Sequence, residues 1–242
     1  YYYPKGGVQV IPDTLAGAIQ EWGSEIRLRT RVRQVLLRNG RACGVELENG
    51  EQILAGHVIA ASDLRQALTK LVSPDLLPER FARRFRRAEV SHSVFNVFLG
   101  LDIPVERLDL QGCQHIFYHP DLDGINEEDR TRRADYFAHV PQEISVPCLH
   151  QPRLAPPGKT GLNTSAMASW HYLGGWERSP AEHEQLKQRC ADEMIASLEK
   201  WIPGLSEHIE MKIISTPRTI ATLTGNSEGA IMGWSYHRER TL

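Results

Sequence analysis

The sequence predicts an α+β fold: a mixed β-sheet with packed helices, beside a small β-meander. Three observations carry this. Residues 25–61 alternate apolar and polar side chains and are broken by Asn39-Gly40 and Asn49-Gly50. Two long β-type runs follow, "SHSVFNVFLGLD" from Ser91 and "LNTSAMASWHYL" from Leu162. A long capped helix, "SPAEHEQLKQRCADEMIASLEKWIPGL", starts at Ser179.

Taken in order, the chain opens on "YYYPKGG" and then a helix over Pro12 to Trp22. Proline suits the first helical turn, and Gly23 suits a left-handed C-terminal cap. Leu15, Ala18, Ile19 and Trp22 fall on one stripe, which predicts a buried face. Residues 25–61 read as strand, turn, strand, turn, strand, because Asn-Gly tolerates the positive φ of a hairpin. "HVIAAS" (His57 to Ser62) reads as a short buried strand, and Asp63 as the cap of a helix over "DLRQALTKLV". "RFARRFRRAE" predicts an amphipathic basic helix with Phe81 and Phe85 four apart. "CQHIFYH" (from Cys113) and "DYFAHV" (from Asp135) read as strands, and the polar segment between them as loop. Ser179, Pro180 and Glu182 form the signature of a capping box. Leu186, Cys190, Met194, Leu198 and Trp201/Ile202 supply that helix's apolar stripe. "HIEMKIIST" is the last strand, and Thr216-Pro217 opens a last helix before a glycine-rich end.

The 242 residues carry a formal net charge of −2, with 41 % hydrophobic and 24 % charged residues. That balance is ordinary for a globular chain and argues against a general affinity for nucleic acid. The default for the basic run is a solvated helix face; the sharper reading is contact with anionic lipid headgroups. The four cysteines (43, 113, 148 and 190) show no CxxC spacing, so neither a zinc ribbon nor a redox pair is indicated. Reduced thiols in a cytoplasmic, peripherally membrane-associated protein are expected. No apolar run reaches membrane-spanning length. The absence of an initiator methionine suggests that the chain begins within a longer protein.

The sequence carries few chemical motifs. Cys113, His115 and His119 could ligate a metal on a helix, but here they share one face of a strand with Phe117 and lack a further ligand, so no metal site is expected. There is no GxSxG, P-loop or GxGxxG, and no catalytic residue can be named. Glu127, Glu128 and Asp129 lack EF-hand spacing and read as a solvated loop. Gly6-Gly7 before a helix is a weak phosphate signal, since no strand precedes it; a tight turn that lets the backbone approach another group is the better reading.

The order of motifs resembles the phytoene-desaturase-related flavoproteins, a group of carotenoid desaturases, carotenoid isomerases and retinol saturases. The resemblance rests on "YPKGG", on the meander "EIRLRTRVRQVLLRNGRACGVELENGEQILAGHVIAAS", on "LAPPGK" (Leu154 to Lys159) and on "TPRTIATLTGNSEGAIMGW" (Thr216 to Trp234). It covers nearly the whole chain. It departs from the family in lacking GxGxxG and the closing glycine-rich flavin segment, and in having Gln151-Pro152-Arg153 where the family often has Asp-Pro.

The resemblance implies a central portion of such an enzyme. Residues 1–62 would belong to the FAD-binding domain and 63–242 to the substrate-binding domain. Val32 and Arg31 would lie where the backbone meets the adenine of FAD, Gly6 and Gly7 near the junction of cofactor and substrate, and Gly233 and Trp234 on the substrate side. The substrate would be an apolar polyene or retinoid in a long apolar cleft, walled by "VFNVFLGL" and "NTSAMASW". The isolated chain would hold FAD weakly, be inactive alone, and associate with itself through the face left uncovered. Two other readings stand beside this one: a lipid-binding or partner-binding module without cofactor, and an amine-oxidase-like flavoprotein that should not share the "LAPPGK" to "GAIMGW" order.

Overall fold

The computed structural model describes residues 2–72, 76, 78–120, 126 and 128–235. Helix α1 spans Val10–Glu21 and ends at Gly23, whose φ of +75° makes the left-handed cap. A three-stranded antiparallel sheet follows, β1 (Val32–Arg38), β2 (Arg41–Leu47) and β3 (Gln52–Leu54). Asn39 and Gly40 both take positive φ, as the tight turn between β1 and β2 requires. Asp63 caps the short helix α2 (Leu64–Gln66), which continues into a wider turn over Ala67–Leu71. Helix α3 covers Glu79–Arg87.

The second sheet has five strands in the order β5-β6-β7-β4-β8: β4 (Ser93–Leu101), β5 (His115–Tyr118), β6 (Gln142–Ser145), β7 (Thr160–Ala168) and β8 (Ile209–Ser215). Short helices α4 (Asp129–Arg132) and α5 (Tyr136–His139) stand between β5 and β6. Helix α6 (Pro180–Glu199) links β7 to β8, and α7 (Pro217–Thr224) follows β8. Every strand pair is antiparallel, so the sheet is not mixed as the sequence suggested. β5, β6 and β7 follow one another in the sheet as in the chain, and the segments that join them (residues 119–141 and 146–159) turn the chain back rather than crossing the sheet face to restart a strand in the same direction.

The core lies on one side of this sheet. Phe95, Val97, Leu99 and Leu101 of β4 are at most 2 % exposed and pack with Leu186, Cys190, Met194 and Leu198 of α6. That stripe is the one the sequence predicted, and the Ser179–Glu182 capping box is formed as well. Polar groups tie the layers together. Thr164 Oγ1 donates to Gln142 Oε1 at 2.7 Å, Gln142 Nε2 donates to the Met194 carbonyl at 3.2 Å, and Tyr118 OH donates to the Ser197 carbonyl at 3.0 Å. Buried amides and hydroxyls cost little when satisfied in this way.

Several expectations need correction. "DYFAHV" is not a strand but contains α5. Tyr136 and Phe137 are adjacent and both buried, and a strand would point them to opposite faces. One helical turn lets both enter the aromatic cluster, with Phe137 4.8 Å from Phe95 and Tyr136 OH donating to the Met167 carbonyl at 2.7 Å. The segment before it is not all loop, because α4 forms there; Glu127 lies outside the described residues. Residues 25–31 precede the meander without joining it: β1 starts only at Val32, and Arg29 turns through φ +54°. "HVIAAS" is neither strand nor buried, with Ile59 91 % exposed. The stripe on α1 buries nothing; Leu15 is 61 % and Trp22 83 % exposed. A buried strand and an apolar helix stripe both need a partner layer, and the described chain supplies none beside them.

The two helices should therefore respond differently to truncation. Met194→Ala should cost about 2–5 kcal/mol of stability by emptying the core. Trp22→Ala should stay within about 0.5 kcal/mol, as surface changes do. Urea denaturation of the two variants measures both.

Candidate functional site

Gly6 and Gly7 take φ of +103° and +94°, a region open chiefly to glycine. Their place is fixed from far along the chain. Gln151 Oε1 accepts from the Gly6 N–H at 2.6 Å, and Gln151 Nε2 donates to the Pro4 carbonyl at 2.9 Å. The Gly7 N–H donates to the Pro4 carbonyl at 3.0 Å. Both amides are thus used inside the chain, so this turn does not present a ring of free donors to a phosphate. A Cβ on Gly6 would meet Arg153 Nη2 at 3.5 Å, and one on Gly7 would meet Leu154 Cδ2 at 3.7 Å. The departure at Gln151-Pro152-Arg153 is therefore structural here: the amide of Gln151 bridges a carbonyl and an N–H, which a carboxylate cannot do with its acceptors alone.

Val32 and Arg31 sit at the mouth of β1, an edge strand of the small sheet. The Arg31 carbonyl accepts from the Glu48 N–H at 3.0 Å, and the Arg31 side chain, 80 % exposed, lies 3.7 Å from Glu48. Gly233 and Trp234 lie elsewhere. The Gly233 carbonyl accepts from the Ser91 N–H at 2.8 Å, Trp234 bridges to Val90, and its ring packs 5.6 Å from Phe85. Phe85 is buried by this contact, so the apolar stripe of α3 faces inward; Arg80 and Arg83 are exposed.

The glycine pair and the Gly233-Trp234 turn do not converge. The first is pinned to the segment that enters β7 at Thr160. The second borders the entry to β4 at Ser93, which pairs with Ala168 at the other end of β7. Nine-residue strands separate these ends, a span of about 27 Å.

What runs between them is the second face of the five-stranded sheet, opposite the core. Phe98 pairs with Ile213, and Gly100 with Met211; these three side chains are 40 %, 54 % and 52 % exposed. Asn96 and Ser165 face each other here, with Ser165 Oγ donating to Asn96 Oδ1 at 2.6 Å. Neither β4 nor β7 contains a charged residue. Charge appears at the β5–β6 border, where His115 Nε2 lies 2.8 Å from Glu143, and on the edge strand β8, where Glu210 pairs with Lys159. Both sequence-nominated walls are thus adjacent strands of one open, largely uncharged surface.

One cluster escaped the sequence reading. Asp63 does more than cap α2: Oδ1 also accepts from Ser227 Oγ at 2.9 Å, and Oδ2 accepts from the Ser227 N–H at 3.1 Å. Arg65 Nη1 donates to Glu228 at 3.1 Å, and Glu228 holds φ +56°. The only signal in the sequence was the cap itself, since 164 residues separate Asp63 from Ser227. Among the described residues no group of His, Cys, Asp or Glu could hold a metal ion. Burial pushes the Cys190 thiol up to about 12, so it is no nucleophile at neutral pH.

The family model described as "Flavin containing amine oxidoreductase" matches residues 1–203. The chain belongs to that family. It is 31 % identical over 224 residues to the prolycopene isomerase of Daucus carota, covering 90 % of this chain and 33 % of that protein. It is 30 % identical over 246 residues to a 4,4'-diapophytoene desaturase of a Methylomonas species, covering 100 % of this chain and 45 % of that protein. The solved structure of an oxidoreductase from Methanosarcina mazei superposes with a TM-score of 0.59 at 19 % identity, over 86 % of this chain and 42 % of that one, which is a likeness of fold. The chain spans about a third to under half the length of the curated relatives it matches. The amine-oxidase-like and desaturase-like readings, set apart in the sequence, meet in one family.

Membership in a flavin family implies FAD, and the residues described do not form its pyrophosphate cradle. No parallel strand pair exists among them to carry a βαβ turn, GxGxxG is absent, and the amides of Gly6 and Gly7 are engaged. Gln151→Leu removes both hydrogen bonds from the N-terminal turn. Hydrogen exchange at the Gly6 amide should quicken about tenfold, with α6 unchanged. Equal protection in both proteins would show that Gln151 does not fix the turn.

Proposed function

We propose that this chain is the substrate-domain portion, with a small part of the flavin domain, of an FAD-dependent oxidoreductase that acts on an apolar polyene of carotenoid or retinoid type. Residues 1–62 fall to the flavin side and 63–242 to the substrate side. The observation that carries the reading is the open face of β4, β7 and β8. A sheet that is packed on one side and bears Phe98, Met211 and Ile213 on the other, without charge on its two central strands, suits a long hydrocarbon. A polyene offers no group for a triad or a metal to grip, which agrees with the character of the surface. The names of the relatives, prolycopene isomerase and diapophytoene desaturase, support this substrate class.

The reaction would be desaturation, saturation or isomerisation by the flavin. The chain's own residues hold the hydrocarbon, orient it and exclude water. The edge of β1 at Val32 offers backbone to the adenine side, and the exposed stripe of α1 with Ile59 offers an apolar face to the rest of a flavin domain. In the isolated chain that face would favour self-association. No described helix is long and apolar enough to cross a membrane. Headgroup contact would fall to the exposed arginines of α3.

Two measurements test the reading. The chain should lose its visible flavin absorbance when desalted after incubation with FAD; stoichiometric retention would overturn the weak-binding part. A carotenoid delivered in detergent micelles should co-elute with the chain. Phe98→Asp and Ile213→Asp should weaken that uptake about tenfold or more, since each puts a charge under the hydrocarbon. Leu15→Asp should leave it unchanged. Uptake indifferent to the sheet-face variants would place the hydrocarbon elsewhere.

A further inference from the structure

The entry to β4 and the exit from β7 border a cavity of about 290 Å³. Its walls include Arg65, His92, Ser169, Trp170, His171 and Glu228. Ser93 pairs with Ala168, so His92 and Ser169 stand one residue beyond the end of the β4–β7 ladder. The open sheet face, uncharged along these two strands, thus ends beside a charged recess.

Within that recess, turn geometry alone does not account for Glu228. Its backbone holds φ +56°, where an asparagine or glycine would sit with less strain. Such outliers persist where the surroundings over-determine them, and they gather at ligand sites. The surroundings do so here. Ser227 is tied to Asp63 through its N–H and its hydroxyl, and the Gly229 N–H donates to the Asn226 carbonyl at 3.1 Å. A Cβ on Gly229 would collide with the Pro217 carbonyl. The carboxylate itself is aimed by Arg65, whose Nη1 donates to Glu228 Oε1 at 3.1 Å. Glu228 Oε2 is left 3.7 Å from His171 Nε2, beyond hydrogen-bond distance, and no hydrogen bond reaches it among the described residues.

We propose that this cavity binds a hydroxyl group at the end of the hydrocarbon; the proposal rests on the β4–β7 face being the hydrocarbon's wall. An oxygen about 2.8 Å from both Glu228 Oε2 and His171 Nε2 fits the 3.7 Å between them. It donates a hydrogen bond to the carboxylate and accepts one from the imidazole N–H. A carbonyl only accepts, so it would face Glu228 with lone pair against lone pair. A carboxylate ligand would fare worse, because Glu89 also borders the cavity and Arg65 is already paired. A bare hydrocarbon end would shut the polar groups away from water without a partner. The substrate class is therefore an apolar polyene with a terminal hydroxyl.

β-Carotene, its dihydroxy derivative zeaxanthin and its diketo derivative canthaxanthin share one carbon skeleton, and each can be delivered to the chain in detergent micelles. Zeaxanthin should be taken up about tenfold more tightly than the other two. Glu228→Asn suits the left-handed backbone and withdraws the acceptor; His171→Leu changes an exposed side chain and removes the donor. Each should bring zeaxanthin to near parity and leave β-carotene uptake unchanged. Phe98→Asp should weaken all three together and keep their ratio. Circular dichroism confirms that each variant is folded. Three results overturn the hydroxyl site while the hydrocarbon reading stands: equal uptake by the unaltered chain, a preference that survives both cavity variants, or canthaxanthin bound as tightly as zeaxanthin. Uptake of none overturns the hydrocarbon reading. The cavity is then judged with cyclohexanol alone, which should shift the His171 ring resonances in the unaltered chain and not in Glu228→Asn. No shift overturns the site as well.

Discussion

The fold depends on the position of one strand. β4 lies next to the edge of its sheet, hydrogen-bonded to β7 on one side and β8 on the other, and it is buried on one face only. Its alternate residues Phe95, Val97, Leu99 and Leu101 set where α6 must lie. The helix answers with residues spaced to meet them, and its backbone carbonyls at Met194 and Ser197 accept from Gln142 and Tyr118. A one-residue slip would send the phenylalanine and leucine set to the other side, so the core fixes the register. The same register decides what the other face offers: Val94, Asn96, Phe98 and Gly100 follow from the four residues that had to go inward. The candidate cleft wall is thus the reverse side of the core, set by the same alternation.

Local patterns were legible wherever the physics that makes them is local. The Ser179 capping box, the Asn39-Gly40 turn and the stripe from Leu186 to Leu198 each depend on residues within a few positions, and each is formed as read. The misreadings share a cause. The stripe of α1 and the apolar "HVIAAS" are genuine apolar patterns whose burial requires a neighbour, and sequence period gives a face without saying what stands against it. Tyr136-Phe137 failed differently. Two adjacent aromatics look like strand material, and only the demand that both enter one core turns them into helix.

The candidate site was legible in part. The two central strands of the open face could be nominated, since long uncharged β runs are visible as such. The pinning of Gly6 by Gln151 could not, because it joins positions 145 apart, and neither could the second role of Asp63 with Ser227. The resemblance supplied a family but not a geometry. Gly6-Gly7 and Gly233-Trp234, which it associated with cofactor and substrate, prove to lie at opposite ends of the β4–β7 pair. The outer face of β4 and β7 runs between those two ends.

An open sheet face leaves no contiguous catalytic motif in a sequence. A triad, a metal centre or a phosphate cradle announces itself because several polar residues must converge on a few atoms. Where a cofactor carries the reaction, the protein's task is to present a surface of the right shape and polarity. Such a surface is written one residue in two along neighbouring strands, as Phe98 beside Ile213 and Gly100 beside Met211, and no contiguous motif records it. The glycine at position 100 makes the point: a Cβ there would lie 3.3 Å from Met211 Cβ, so the missing side chain leaves room on the face for its neighbour. In a chain of this kind, function lies in which side chains are absent from a face as much as in which are present.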